Sequence, residues 1–289
     1  MTILDVISRS SDFLRGRGVE SPRLNAELLI AHVLKLPRMR LYLEFERAIE
    51  PADLAQIRQL VRRRGNREPL QHMVGLTSFC GIDLVVDRRA LVPRTETELL
   101  VELALAKMPK LRLDRPNRIL DFGTGSGAIA IAIALKAPHA TVHALEICEN
   151  ALALARENAS RNGVLDRIQF HRSNGFDGLP VDLQFETVVA NPPYIPRPQI
   201  ETLQPEVARY DPHLALDGGR DGLDFYKLLA TETAQFLRPN RYLIAEFGDD
   251  QSEEVQKIFR AQKWIVESVC DDYSGRPRFL VAIRPDERA

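Results

Sequence analysis

The spacing of apolar positions changes twice along the chain. Residues 1–74 carry helical spacing. Ser21-Pro22 offers an N-cap followed by proline at the first helical position, after which Leu24, Leu28 and Ala31 share one face. Pro51 opens a further helix with Ile57, Leu60 and Val61 inward. It ends in Arg62, Arg63, Arg64 and Arg67, with Gly65 as its stop. From Gly75 the period shortens to two: Phe79, Ile82, Leu84 and Val86, bounded by Gly81 and Asp87, predict a hairpin or extended connector. A helix from about Thr95 to Met108 places Leu99, Leu103 and Ala106 on one face. Beyond Pro116 strands alternate with helices, the strands falling at Arg118–Phe122, Thr141–Leu145, Ile168–His171, Thr187–Ala190 and Tyr242–Phe247. That alternation predicts an α/β fold, a mostly parallel sheet with helices on both faces. Trp264–Val269 and Arg278–Ile283, joined by Asp271, Asp272, Ser274, Gly275 and Pro277, predict a closing hairpin that leaves one antiparallel strand at the end of the sheet.

Composition narrows the setting. Of 289 residues, 45% are hydrophobic and 27% charged, the mix of a globular protein. Lys+Arg 39 against Asp+Glu 40 leaves a net charge of −1, which argues against a nucleic-acid coat protein or a polybasic membrane binder. The first residues lack a signal-peptide core, being interrupted by Asp5, Ser8, Arg9 and Asp12, and no apolar run reaches the ~18 residues of a membrane span. Cys80, Cys148 and Cys270 form no Cys-x-x-Cys pair, so neither a disulfide framework nor a zinc site is expected. His139 and His143 are spaced by four where a loop enters a strand, and no metal site is predicted there. A reducing cytoplasm is the expected location.

The first strand of the alternating region ends in Asp121-Phe122-Gly123-Thr124-Gly125-Ser126-Gly127, and Ala128 begins a helix. Glycines let backbone turn tightly and approach a ligand, and the helix start adds unpaired N–H groups. The next strand ends at Glu146, where a carboxylate can accept from both hydroxyls of a ribose, with Ile147 beside it. As Gly-x-Gly-x-x-Ala the turn also satisfies a dinucleotide fingerprint, so alone it indicates a nucleoside cofactor and no more. Asp121, where a carboxylate can hold an amino group or its water shell, and the closing hairpin tilt the reading toward S-adenosylmethionine.

The fourth strand of this region runs into Asn191-Pro192-Pro193-Tyr194. Open α/β sheets bind ligands at this carboxyl end. Prolines fix φ and cannot donate, so the carbonyls of Asn191 and Pro192 are held in set directions, the Asn191 side-chain oxygen is a further acceptor, and Tyr194 offers a flat face. Acceptors placed this way suit a planar NH2 group whose face stays open to a methyl donor.

These residues resemble the loop of class I methyltransferases that modify planar nitrogen: adenine N6, guanine N2 and glutamine amide. Pro69-Leu70-Gln71-His72-Met73-Val74-Gly75 with Phe79 and Gly81, then Leu91-Val92-Pro93-Arg94-Thr95-Glu96-Thr97-Glu98-Leu99-Leu100-Val101-Glu102, narrow the resemblance to the peptide chain release factor glutamine methyltransferases, the PrmC/HemK family. Tyr194-Ile195-Pro196, Ala215-Leu216-Asp217-Gly218-Gly219-Arg220-Asp221-Gly222-Leu223, and Glu246 with Gly248 and Gln251 continue it over essentially the whole chain. Thr95 stands where the family usually has a second proline, and Glu146 where it usually has Asp. Asn174 and Gly175, followed by Phe176, occupy the adenine-side position.

The resemblance implies a class I, Rossmann-like methyltransferase domain with a seven-stranded sheet. Its cofactor would be S-adenosylmethionine, held by Asp121, Phe122, Gly123, Thr124, Gly125, Ser126, Gly127, Glu146, Ile147, Asn174, Gly175 and Asn191. The implied substrate is the glutamine of the Gly-Gly-Gln loop of class I release factors. Asn191 and the Pro192 carbonyl would grip its N–H hydrogens, with Pro193 and Tyr194 completing the substrate-binding loop and Tyr194 packed on the glutamine. The implied organisation is a helical recognition domain over residues 1–74, a connector over 75–94 and a catalytic domain over 95–289, acting as a monomer. Two alternatives stand beside it. A DNA or RNA amino-group methyltransferase would use the Arg62, Arg63, Arg64 and Arg67 cluster, and an S-adenosylmethionine sensor would have no use for an open nucleophile site. Arg94, Glu96, Glu98 and Glu246 either shape the pocket or serve helix and strand ends.

Overall fold

The computed structural model describes residues 1–109 and 117–286; residues 110–116 and 287–289 of the expected catalytic domain lie outside the described residues. The chain forms two compact units, Met1–Leu76 with Gln204–Tyr210, and Thr77–Leu203 with Asp211–Ala289.

The first unit is helical: α1 (Ile3–Gly16), α2 (Pro22–Leu34), α3 (Arg38–Leu43), α4 (Pro51–Gly65) and α5 (Leu70–Val74), joined by a helix from the second segment, Pro205–Tyr210, numbered α9 in chain order. Thr2 caps α1 through a reciprocal pair: its Oγ1 accepts from Asp5 N–H and Asp5 accepts from Thr2 N–H. Ile3, Ile7, Leu14, Leu29, Ile30, Leu41 and Ile57 form the core. Three local expectations fail here, in whole or in part. Ser21 precedes α2 but lies in the left-handed region, φ 48°, and makes no side-chain cap. The predicted face of α2 is only partly right: Ala31 is buried and Leu28 half-buried, but Leu24 is exposed, and Ala26, Leu29, Ile30 and Val33 also turn inward because α1, α3, α4 and α5 all pack on this helix. Gly65 does not stop α4 but ends it in helical conformation, with Asn66 as the cap. A β-carbon there would stand 2.5 Å from the Phe13 ring, so packing is what asks for glycine.

The arginine cluster is not a free basic face. Arg63 makes a two-pronged pair with Glu68 (2.8 and 2.6 Å). Arg64, 6% exposed, donates to Asn25 Oδ1 and pairs with Glu206 at 2.9 Å, and Arg67 reaches Glu206 at 2.7 Å. These arginines tie α4 to α9 inside the helical unit, and of the cluster Arg62 is exposed to solvent.

The second unit opens with a hairpin, β1 (Leu76–Phe79) and β2 (Ile82–Val85), turning through Cys80 and Gly81 at φ 51° and 80°. After α6 (Thr97–Lys107) follow β3 (Asn117–Phe122), α7 (Ala128–Lys136), β4 (Ala140–Glu146), α8 (Glu149–Arg161), β5 (Ile168–Arg172), β6 (Phe185–Ala190), α10 (Asp224–Phe236), β7 (Leu237–Glu246), α11 (Ser252–Ala261), β8 (Ile265–Asp271) and β9 (Pro277–Ile283). The seven-stranded sheet runs β5-β4-β3-β6-β7-β9-β8, with parallel pairing from β5 to β7. The antiparallel strand is β9, and it lies between β7 and β8 rather than at the end of the sheet. Phe279 to Ala282 are fully buried, as an interior strand is, whereas β8 alternates between exposed and half-buried positions and takes the edge.

The inward face of α6 is also not the one expected. Leu100, Val101 and Ala104 are fully buried and Ala106 is exposed. Seven of its eleven residues are apolar and they are spread around the helix, so its pattern does not set its rotation. Among the described residues no helix is long and apolar enough to cross a membrane.

Candidate active site

Parallel register brings the chemistry to one level. Phe122 pairs with Leu145 on one side and Ala190 on the other, and Ala190 pairs with Ala245. The residues that follow, Gly123, Glu146, Asn191 and Glu246, therefore stand side by side at the carboxyl ends of β3, β4, β6 and β7. Here a cavity of about 360 Å³ opens, within the size range of small-molecule sites.

Of the residues predicted to hold a cofactor, Phe122, Gly123, Thr124, Gly125, Ser126, Glu146, Ile147, Asn174, Gly175 and Asn191 line this cavity. Gly123 and Gly125 have φ of 74° and 54°, and a β-carbon on either would project into open space. The turn is thus left-handed and bare on its ligand side. Glu146 Oε2 accepts from Gly125 N–H and Oε1 from Cys148 N–H, each at 3.0 Å, leaving each oxygen a lone pair. Two expected residues stand behind the wall. Asp121 is fully buried and accepts from Thr124 Oγ1 (2.6 Å) and Ala130 N–H (3.1 Å), so it closes the turn from within. Burial pushes its carboxyl up to about 7. Gly127 caps α7 with no room for a β-carbon, Ala155 lying 3.1 Å from that position. Phe176 is in the core between Phe122 and Phe236, with ring centroids 5.2 Å from each, so the apolar side chain open beside Glu146 is Ile147.

The Asn191 loop is braced from outside itself. Asn191 and Pro193 line the cavity; Pro192 is buried, and among the described residues no hydrogen-bond donor reaches its carbonyl. Tyr194 is half-buried, its ring packed against the core cluster of Tyr226, Phe247 and Leu280. Burial, then Glu246, pushes its hydroxyl up to about 12. Gln251 Nε2 donates to the Tyr194 carbonyl (2.9 Å) and Gly222 carbonyl (3.3 Å), while its Oε1 accepts from Gly248 N–H (2.9 Å). Ile195 N–H donates to the Leu216 carbonyl, Gly218 N–H to the Ile195 carbonyl, and Arg197 N–H to the Gly219 carbonyl alongside. A β-carbon on Gly222 would collide with the Tyr194 carbonyl, and one on Gly218 would lie 2.8 Å from that of Pro193. The segments Asp217–Gly222 and Gly248–Gln251 are thus the mould of the Asn191 loop.

Residues 5–75 match the PrmC N-terminal domain, and residues 96–207 match the methyltransferase small domain. A release factor glutamine methyltransferase from Geobacter sulfurreducens is 43% identical over 258 residues, covering 89% of this chain and 88% of that protein. One from Moorella thermoacetica is 38% identical over 288 residues, covering 99% and 100%. The chain belongs to the release factor glutamine methyltransferase family. Among solved structures, a methyltransferase from Pyrococcus furiosus aligns with a TM-score of 0.53 at 20% identity, covering 71% of this chain and 90% of that one, a likeness of fold.

Family membership directs attention to residues around the loop that the sequence reading left without a function. Thr97, 4% exposed at the start of α6, lies between two of the aligned strand ends. Asn191 Nδ2 donates to Thr97 Oγ1 (3.1 Å), and Thr97 Oγ1 donates to Glu246 Oε2 (2.8 Å). Glu246 is 2% exposed; burial pushes its carboxyl up to about 7 against the pull of Thr97 and Arg278. Glu98 instead accepts from Cys80 N–H (2.9 Å), pinning the hairpin turn, and Glu96 is exposed. Arg94 lines the cavity and pairs with Asp211 at 3.1 Å; burial pushes the Asp211 carboxyl up to about 6. Asn158, fully buried, bonds both backbone groups of Val85 and the Ser126 carbonyl, tying hairpin and glycine turn to α8. Arg94, Thr97, Glu98 and Glu246 stand in stretches that carry the family resemblance, which is their signal in the sequence; Asp211 and Asn158 have none.

Among the described residues no group of three or more His, Cys, Asp or Glu side chains is placed to hold a metal ion. His139 is exposed, and His143 Nδ1 lies 3.0 Å from His171 Nε2 with the rings stacked.

Proposed function

We propose that this protein transfers a methyl group from S-adenosylmethionine to the side-chain amide nitrogen of the glutamine in the Gly-Gly-Gln loop of class I release factors, acting as a monomer in the cytoplasm. The reading is supported by full-length similarity to release factor glutamine methyltransferases and, above all, by the orientation of one amide. The Nδ2 of Asn191 is engaged by Thr97, so its Oδ1 is the end left for the cavity.

The chain's residues fit the cofactor. Gly123 and Gly125 offer an uncluttered turn, the two Glu146 oxygens each retain a lone pair for a ribose hydroxyl, Asn174 can bond an adenine edge, and Ile147 can cover its face. When bound, S-adenosylmethionine supplies an electrophilic methyl group on a sulfonium.

A carboxamide nitrogen is a poor nucleophile because its lone pair is shared with the carbonyl, as the rotation barrier of ~18–20 kcal/mol attests. The cavity wall carries one carboxylate, Glu146, and it is held at the ribose position, so no general base faces Asn191 among the lining residues. Asn191 Oδ1 and the Pro192 carbonyl accept the two N–H hydrogens, aim the nitrogen and favour the positive charge that develops on it. Alignment supplies up to ~7–11 kcal/mol and one well-placed polar group ~3–4. The proton leaves after transfer. Tyr194, half-buried with its ring leaning on the core, packs its open face against the glutamine side chain.

A release factor incubated with methyl-labelled cofactor should gain one methyl on that glutamine, located by mass spectrometry. Asn191→Ala should keep cofactor affinity while transfer falls at least about a hundredfold; undiminished transfer would remove Asn191 from the mechanism. The nucleic-acid alternative is weakened by the cluster it relied on, since Arg63, Arg64 and Arg67 are spent on Glu68 and Glu206.

A further inference from the structure

The hydroxyl of Thr97 has a single hydrogen, and its direction decides which end of Asn191 faces the cavity. With that hydrogen donated to the Glu246 carboxylate, the oxygen can only accept, and the group it accepts from must be the Asn191 NH2. We infer that Glu246, acting through Thr97, is the positioning residue that sets the polarity of Asn191, so that protonation of Glu246 reverses the relay and turns the acceptor of the site into a donor. The inference rests on the reading of Asn191 as the acceptor for the substrate amide.

A carboxylic acid at Glu246 would donate to Thr97 Oγ1; the Thr97 hydrogen would swing to Asn191 Oδ1, and the Asn191 carboxamide would rotate to present Nδ2. The proton count balances: one proton is taken up at Glu246, and one hydrogen changes partner at Thr97. Two N–H donors would then face the N–H hydrogens of the substrate, and the grip would be lost.

The surroundings suit such a relay. Thr97 and Glu246 are both buried, so water does not compete for their hydrogen bonds. The groups that face Glu246 come from every side: Glu96 and Arg94 from the start of α6 and the connector, Tyr194 from the loop, Arg278 from β9, and Tyr226 of α10, whose hydroxyl donates to the Glu246 carbonyl at 2.9 Å. Arg278 and Arg94 favour the carboxylate; burial and Glu96 oppose it, and burial prevails. The oriented state is therefore complete above neutral pH and is lost as pH falls through about 7.

The test uses the full chain and two readouts. In ¹⁵N-labelled protein the Asn191 side-chain amide, identified by its absence in Asn191→Ala, should show one hydrogen-bonded proton that titrates near neutral pH; Thr97→Val should abolish both features. In methyl transfer, Thr97→Val should lower kcat about ten- to a hundredfold with cofactor affinity within threefold, and should remove the acid limb of the pH profile. Thr97→Ser, which restores the hydroxyl, should recover wild-type behaviour, and Thr97→Val added to Asn191→Ala should cost nothing more. An Asn191 signal indifferent to Thr97→Val or to pH overturns the relay, as does a Thr97→Ser protein as impaired as Thr97→Val. A wild-type protein that labels no release factor would instead sink the proposed substrate, and the amide signal would still judge the relay.

Discussion

The glycine turn after β3 and the Asn191 loop after β6 lie at the same level of the sheet but are built in opposite ways. The turn is stiffened from within. Asp121 bonds Thr124 and Ala130, and Glu146 on the neighbouring strand end bonds Gly125. The Asn191 loop, with two prolines, has few donors of its own and is held by remote segments: Thr97 from α6, Gly218 and Gly222 from the approach to α10, and Gln251 from the start of α11. The glycine turn is therefore held mainly by its own strand and the next strand end, with Asn158 of α8 as its remote tie. The Asn191 loop, the proposed reacting side, is assembled by segments far apart in the chain.

The sharpest way to break this comparison is to damage the loop from a distance. Gly222→Ala should cut methyl transfer by at least about a hundredfold, because its new β-carbon displaces the Tyr194 carbonyl and with it the reacting geometry. Cofactor affinity, measured by calorimetry, should stay within threefold; a parallel loss of binding would show that the two loops are not independent. Glu146→Ala should do the reverse, lowering cofactor affinity about thirtyfold through loss of an acceptor for two backbone N–H groups, with the folded loop at Asn191 intact. The smallest effect sharpens the contrast inside the turn. Asp121 rises from 3.8 to about 7 on folding, so the folded state binds the extra proton, and this group's contribution to stability declines as pH rises through that window. Denaturation of wild type against Asp121→Asn between pH 4 and pH 8 should show the wild type losing stability relative to the variant as pH rises. A difference that grows in the opposite sense would mean the carboxylate is stabilised where it sits.

The same contrast decides what was legible in the sequence. The strand–helix alternation, the glycine turn, its acid at the next strand end and the Asn191 loop were all readable, because each is a short motif or a strong period. Partners across the fold were not. Thr97 meets Asn191 and Glu246 across 94 and 149 residues, and nothing in its neighbours announces which way it faces. The two misread helix faces have a common cause: α2 is packed on several sides and α6 is apolar nearly all round, so neither carries a single stripe. The arginine run resembled an exposed basic patch since its countercharge Glu206 lies far along the chain. The closing hairpin with its antiparallel strand is legible, but the place of that strand is not, as pairing order between two apolar runs is not written in either run alone.

That placement has a kinetic corollary. The interior strand β9 follows the edge strand β8 in sequence, yet among the described residues β8 pairs with β9 alone. As the polypeptide emerges during synthesis, β7 must wait with an open edge until β8 has passed and β9 arrives to fill the gap. Only then is the Glu246 end of β7 flanked by Phe279. Sheet completion in this protein is therefore a late, long-range step, and interruptions of translation between β8 and β9 should leave a nascent chain with an unpaired, aggregation-prone edge.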